Sequence, residues 1–297
     1  MGFDGLELSF KSVVNLEKAA TDTAYYDEIR AVLKDHHLGS WAISSHAIGQ
    51  CVGDLYDKRL NIFIPERLHG KPDDIRKWAI ESMMMVPVAA KNLSCSIVTT
   101  FTGSPIWKYF YSFPTTPQAM VEEGFDEIAA LWTPILDEFK KHGIAFAFEV
   151  HPSEIAFDYY TTQRLIDKLG HHEAFGINFD PSHLLWQGVD PALFIRDFAP
   201  YIRHVHMKDV AVRKDGRCGI LGSHLPFGDS RRAWNFRSVG RGDVDFEEII
   251  RALNDISYTG PLSVEWEDNG MDRFHGAKES LEYIRKLEFP TSQIKWL

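Results

Sequence analysis

The stretch Ile144-Ala145-Phe146-Ala147-Phe148-Glu149-Val150-His151 decides the fold. Its apolar run, interrupted only by Glu149, is the pattern of a strand covered on both faces, as in a parallel sheet. Both flanks agree. Residues 117–142 have helical spacing, and Gly143 stands where a C-cap glycine belongs. Downstream, helices are expected over 161–169, 191–198, 246–256 and 272–287, and strands over 175–180, 202–207 and 262–266. Upstream, strands are expected over 6–10, 41–46 and 93–100, with helices over 26–33 and 72–90. Strands alternating with helices in this way predict an α/β fold with a parallel sheet.

Strong polar clusters fall at the C-terminal ends of these strands: His46, 100–104, Glu149 with His151, Asp180 with His183, His206 with Asp209, and Glu265 with Asp268. A (β/α)8 TIM barrel carries its active site on that rim. A doubly wound sheet is the competing architecture, but its crevice would not gather side chains from so many successive strands, and no GxGxxG turn is present. We expect one barrel domain over residues 1–297. The count of seven strands suggests that the first β/α unit is absent at the N-terminus, with residues 6–10 in the second strand position. A merged or missed strand is the alternative, with Asn61-Ile62-Phe63-Ile64 as the suspect. A missing unit would leave strand edges open and favour a homo-oligomer.

The chain has 297 residues, with 44% hydrophobic and 25% charged, which excludes disordered and low-complexity classes. Lys and Arg number 32 against 42 Asp and Glu, a net charge of −10 that argues against a nucleic-acid partner. No apolar run is long enough for a membrane span. Cys51, Cys95 and Cys218 are odd in number and widely spaced, as expected of reduced thiols in a cytoplasmic protein.

Glu149, Asp180, His206 and Glu265 come from four successive strands. On one rim, three carboxylates would repel each other unless a cation or protons compensate. Three carboxylates and one imidazole suit one divalent metal, Mn²⁺ or Mg²⁺ before structural Zn²⁺, with Co²⁺ as a substitute; Mn²⁺ is the expected ion. A single strand-end Glu would ordinarily be just a solvated charge; four in step reverse that. His151 shares a strand face with Glu149, and the turn Asp180-Pro181-Ser182-His183 returns His183 towards Asp180. His46 could complete the rim. A satisfied core histidine is the lesser alternative for His151, and His204, deeper in its strand than His206, is expected to pack structurally.

Phe148-Glu149-Val150-His151-Pro152, Asn178-Phe179-Asp180-Pro181-Ser182-His183, His204-Val205-His206-Met207-Lys208-Asp209, Gly240-Arg241-Gly242-Asp243-Val244-Asp245-Phe246 and Leu262-Ser263-Val264-Glu265-Trp266-Glu267-Asp268 together resemble the sugar phosphate isomerase/epimerase superfamily, the xylose isomerase-like TIM barrels. The resemblance runs over nearly the whole chain. It implies metal ligands at Glu149, Asp180, His206 and Glu265 and a substrate contact at His183. Ketose 3-epimerases of this group exchange the substrate proton with their two metal-bound glutamates, which implies Glu149 and Glu265 as the catalytic pair. The segment 218–239, with Arg231, Arg232, Trp234 and Arg237, departs from the short epimerase loops.

The expected activity is that of a metal-dependent sugar isomerase or epimerase, moving a proton next to a carbonyl through a metal-bound enediolate. A lyase acting on a keto-sugar or keto-inositol shares that first step. An endonuclease of the same fold would need further histidine ligands that the strand ends do not supply. Trp107, Tyr109, Tyr111, Trp186 and Trp234 lie in loops of the active face, where ring faces suit a sugar or simply pack. His151, His46, Trp107, Lys208 and Arg241 join His183 as candidate substrate contacts, the last two for a phosphate or carboxylate.

Overall fold

The computed structural model describes residues 1–222 and 224–291. Contacts divide the chain into two compact units, Asp4–Asn178 and a second formed by Met1–Phe3 with the chain from Phe179 onward.

The first unit holds β1 (Leu8–Ser9), α1 (Leu16–Thr21), α2 (Thr23–Asp35), β2 (Ala42–Ser44), α3 (His46–Gly53), α4 (Pro72–Asn92), β3 (Ile97–Thr100), α5 (Gln118–His142), β4 (Ala145–Glu149), α6 (Tyr159–Lys168) and β5 (Phe175–Phe179), whose last residue crosses the boundary. Its strands lie in chain order, every neighbour parallel. The register sets Phe148 beside Ile177 and Glu149 beside Asn178. Phe146 meets Trp132 and Phe139 of α5 at ring distances of 5.1 and 5.5 Å, which binds helix to sheet through fully buried aromatics. α6 opens with a capping box in which Asp158 and Thr161 satisfy each other's backbone amides.

The second unit holds α7 (Pro181–Leu185), α8 (Pro191–Asp197), β6 (Ile202–Met207), β7 (Asp209–Val212), β8 (Trp234–Arg237), α9 (Phe246–Asp255), β9 (Leu262–Val264) and α10 (Arg273–Leu287). β6 and β9 pair in parallel, while β7 and β8 form a separate antiparallel pair. On α9, Phe246, Ile249, Ile250 and Leu253 recur at helical spacing and are all buried.

Among the described residues, the strands in parallel pairings are β1 to β6 and β9, each where a strand is expected. The suspected strand at Asn61-Ile62-Phe63-Ile64 is not one: a 3₁₀ turn over Lys58–Ile62 runs through it. Its apolar residues alternate poorly in burial, with Ile62 exposed and Ile64 buried, because they pad a surface loop. No helix among the described residues is long and apolar enough to cross a membrane.

Candidate metal and active site

In the second unit the site grows from three strand ends. Asp180 ends β5 and caps α7, taking Ser182 N at 2.8 Å. His206 lies on β6 and Glu265 follows β9. Each offers one donor atom, and these lie within 4.8 Å of one another. Ligands about 2.0–2.6 Å from a shared cation lie no more than about 5 Å apart, so the three fit a divalent ion. Asp180 and His206 are buried, whereas the Glu265 side chain is 32% exposed. Of the three, only Glu265 is appreciably open to solvent.

Lys208 sits among these groups, its side chain only 4% exposed. Its Nζ is 3.2 Å from Glu265 Oε2, 3.1 Å from Glu267 Oε2 and 3.9 Å from Asp180 Oδ2. The ammonium also lies over the Phe236 ring, 4.4 Å from its centroid, and 3.4 Å from His183 Nε2. A buried lysine is tolerated only when paired, and here three carboxylates compensate it. His183 Nε2 is 3.4 Å from Asp180 Oδ2, and its ring meets Phe236 edge-on. His206 Nδ1 is 3.1 Å from the same Glu265 oxygen that Lys208 approaches.

Behind Lys208, Asp209 organises the next loop. Its carboxylate accepts Val210 N and Val244 N on Oδ1, at 2.8 and 3.2 Å, and Gly240 N and Gly242 N on Oδ2, at 2.9 and 2.8 Å. Burial pushes its pKa up, opposed by these four amides. A Cβ on Gly242 would stand 2.2 Å from Asp209 Oδ1, so only glycine lets the loop close on the carboxylate. This ties together the motifs that end in Asp209 and begin at Gly240. Asp268 does the same for the return from β8, taking Ser238 N at 2.9 Å.

In the first unit, Glu149 is buried at the end of β4. Its Oε2 accepts Asn178 Nδ2 at 2.8 Å and lies 3.0 Å from His46 Nε2. His46 Nδ1 is in turn 2.7 Å from Ser44 Oγ, so the ring is held at both nitrogens. The Phe101 ring touches His46 at 4.5 Å and His151 at 4.9 Å, which groups the two histidines with Glu149.

Not every expected residue joins these groups. Trp107 packs on Phe110 and Phe157, and Arg241 forks onto Glu279 at 2.6 and 2.8 Å. His204 is buried, and its ring meets that of His206 at 5.4 Å. Trp186 and Trp234 stack on each other at 4.4 Å. Sequence reasoning missed Asn178, Glu267, Phe101 and Phe236. Asn178 carried a signal, since it stands two residues before Asp180 on a strand; Phe236 carried none, because β7 and β8 are joined through a long loop.

Residues 1–287 match the family model of xylose isomerase-like TIM barrels, and the chain belongs to that family. The Bacillus subtilis protein YfiH, described as uncharacterized, is 30% identical over 189 residues, 61% of this chain and 60% of that protein. An inosose dehydratase of Clostridium perfringens is 26% identical over 166 residues, 56% of this chain and 52% of the enzyme. The matches thus span between half and three fifths of these relatives. Among solved structures, the Escherichia coli 3-keto-D-glucoside 4-epimerase YcjR superposes with a TM-score of 0.67 at 15% identity, over 96% of this chain and 90% of that one. A xylose isomerase-like TIM barrel protein from Mycobacterium smegmatis, in complex with magnesium, superposes at 0.63 and 19% identity, over 97% and 84%.

Proposed function

We propose that the chain is a divalent-metal-dependent enzyme that removes a proton next to the carbonyl of a sugar or cyclitol, as an isomerase or epimerase. The observation that carries this is the close grouping of donor atoms from Asp180, His206 and Glu265. Glu149, at the end of β4, is proposed as the fourth ligand. Mn²⁺ is the proposed ion, with Mg²⁺ or Co²⁺ as substitutes, because three carboxylates and one imidazole suit a hard to borderline cation. When bound, the ion would polarise the substrate carbonyl and favour the negative charge that develops on it.

The chain's own residues divide the remaining work. Glu149 and Glu265 exchange the substrate proton. Glu149 is oriented by Asn178 and His46, so its carboxylate is fixed before substrate arrives. Glu265 is the more exposed of the two, which favours it as the group that meets incoming substrate. His183, His46 and His151 contact substrate oxygens. Lys208 balances the carboxylates and offers an N–H donor beside His183. Trp107 and Arg241 are not assigned a substrate contact.

A second reading, dehydration, rests on the inosose dehydratase relative and on Lys208, a cation placed to assist a departing hydroxyl. Incubation with Mn²⁺ and a panel of keto-sugars and keto-inositols in D₂O tests both. Deuterium entering the carbon next to the carbonyl supports the shared step; the product then separates epimerase or isomerase from dehydratase. An epimerised or isomerised product without deuterium, or a dehydrated product that retains the hydrogen next to the carbonyl, would overturn the proposal.

A further inference from the structure

We propose that Glu154 is a positioning residue for the imidazoles of His46 and His151, and that it holds them only while the Glu154–Asp54 pair keeps a proton. This rests on the proposed site in giving those histidines a task, but its geometry stands apart from the metal-binding residues.

Glu154 is completely buried in the loop after β4. Its Oε2 accepts Thr102 N at 2.9 Å and Gly103 N at 2.6 Å from the loop after β3. Asp54, just past α3, accepts the next amide, Ser104 N, at 2.8 Å. Gln50 lies on α3 one turn beyond His46 and is buried. Three loops are therefore fastened through two carboxyls. The block has little slack, since a Cβ on Gly103 would lie 2.4 Å from Gln50 O.

The block reaches both histidines. Phe101, immediately before Thr102, touches both rings, and Ser153 Oγ lies 3.3 Å from Glu154 Oε1 and 3.4 Å from His151 Nδ1. His46 opens the helix that carries Gln50.

The charges around the pair leave one proton to be shared. Burial, and then the charge of Asp54, push Glu154 up to about 8, and burial pushes Asp54 up to about 6. Cys51, which also faces Asp54, is pushed up to about 12 by burial and stays neutral. Arg59 draws Asp54 down and Asp57 draws it up, and these two pair with each other at 2.6 Å. When the last proton leaves, two buried anions repel each other, and the repulsion separates the loops that hold the histidines.

Histidine-labelled protein followed by NMR from pH 6.5 to 9.5, without any sugar, tests this. The His46 and His151 ring signals and the Thr102 and Gly103 amide signals should move together, with a midpoint near 8. Glu154→Gln, which keeps the shape and cannot ionise, should abolish the shared transition. Asp54→Asn, which removes the neighbouring charge, should lower the midpoint by about one pH unit. Should Glu154→Gln fail to fold, the wild-type transition and the Asp54→Asn shift decide alone. Histidine signals that do not follow the amides, or a midpoint unmoved by either variant, would overturn the proposal. Because no substrate is used, that failure is separate from a failure of the proposed reaction.

Discussion

Replacing Asp209 with Asn is the sharpest test of how the loop next to the site is held. The substitution changes neither the size nor the outline of the side chain. It does change what the side chain can accept. Each carboxylate oxygen takes two backbone N–H groups, and an amide in either orientation turns one of those oxygens into an NH₂. Two N–H donors then face a donor in a buried place. Each buried donor left without an acceptor costs roughly 1–3 kcal/mol. Part is returned, because burial already disfavours the ionised carboxyl and Asn carries no charge.

The net loss should be about 2–4 kcal/mol. With a urea slope of about 3 kcal/mol/M for a chain of this length, the unfolding midpoint should fall by about 1 M at unchanged slope. Gly242→Ala attacks the same contact from the other side and should also lower the midpoint. The double variant should lose clearly less than the sum of the two, because both break one arrangement. An Asp209→Asn midpoint within about 0.2 M of the parent would refute the reasoning, since a loss that small is within the error of the assay. Strict additivity with Gly242→Ala would refute the coupling.

Ala at Glu149, Asp180, His206 or Glu265 should each strip the metal from purified protein, read by elemental analysis; unchanged metal in Glu149→Ala and Glu265→Ala would end the proposed ligand set. Lys208→Met removes a cation 3.2 Å from Glu265, so Mn²⁺ should bind roughly tenfold or more tightly by calorimetry, while turnover falls. Unchanged or weaker Mn²⁺ binding would show that the lysine does not compete with the ion. The raised Glu154 carboxyl binds its proton more tightly folded than unfolded. Its contribution to stability is therefore fully present below its ordinary range near 4.5 and lost as pH rises towards about 8. Thermal unfolding should show that decline in the parent and a flatter profile in Glu154→Gln.

What could be read from the sequence follows from how each feature is encoded. β4 was legible because Ile144 to Phe148 is unbroken apolar sequence, which burial on both faces requires. Asp180, His206 and Glu265 were legible because a charge at the end of such a run stands out. The short α7 was not, since Pro181-Ser182-His183 reads as a turn until Asp180 caps it. The pair β7 and β8 was hidden for another reason: hairpin signals depend on a tight turn, and a long loop separates these strands.

That hidden pair changes what the site is. Lys208 read as an anion holder at a strand end, because sequence shows its charge and not its burial. The structure sets it under Phe236 and among Asp180, Glu265 and Glu267, so its charge is already committed to three carboxylates. Phe236 and Trp234 come from the segment where this chain departs from the short epimerase loops. Phe236 touches both Lys208 and His183, while Trp234 stacks on Trp186 at the end of α7. In the proposed reaction the residues that resemble the family would supply the charge for proton transfer, and the residues that depart from it shape the apolar wall beside that charge. On the proposed reaction, substrate choice would belong to the wall: carboxylates at strand ends suit any enediolate chemistry, whereas a ring packed on Lys208 and His183 would limit which oxygen of a substrate can reach them.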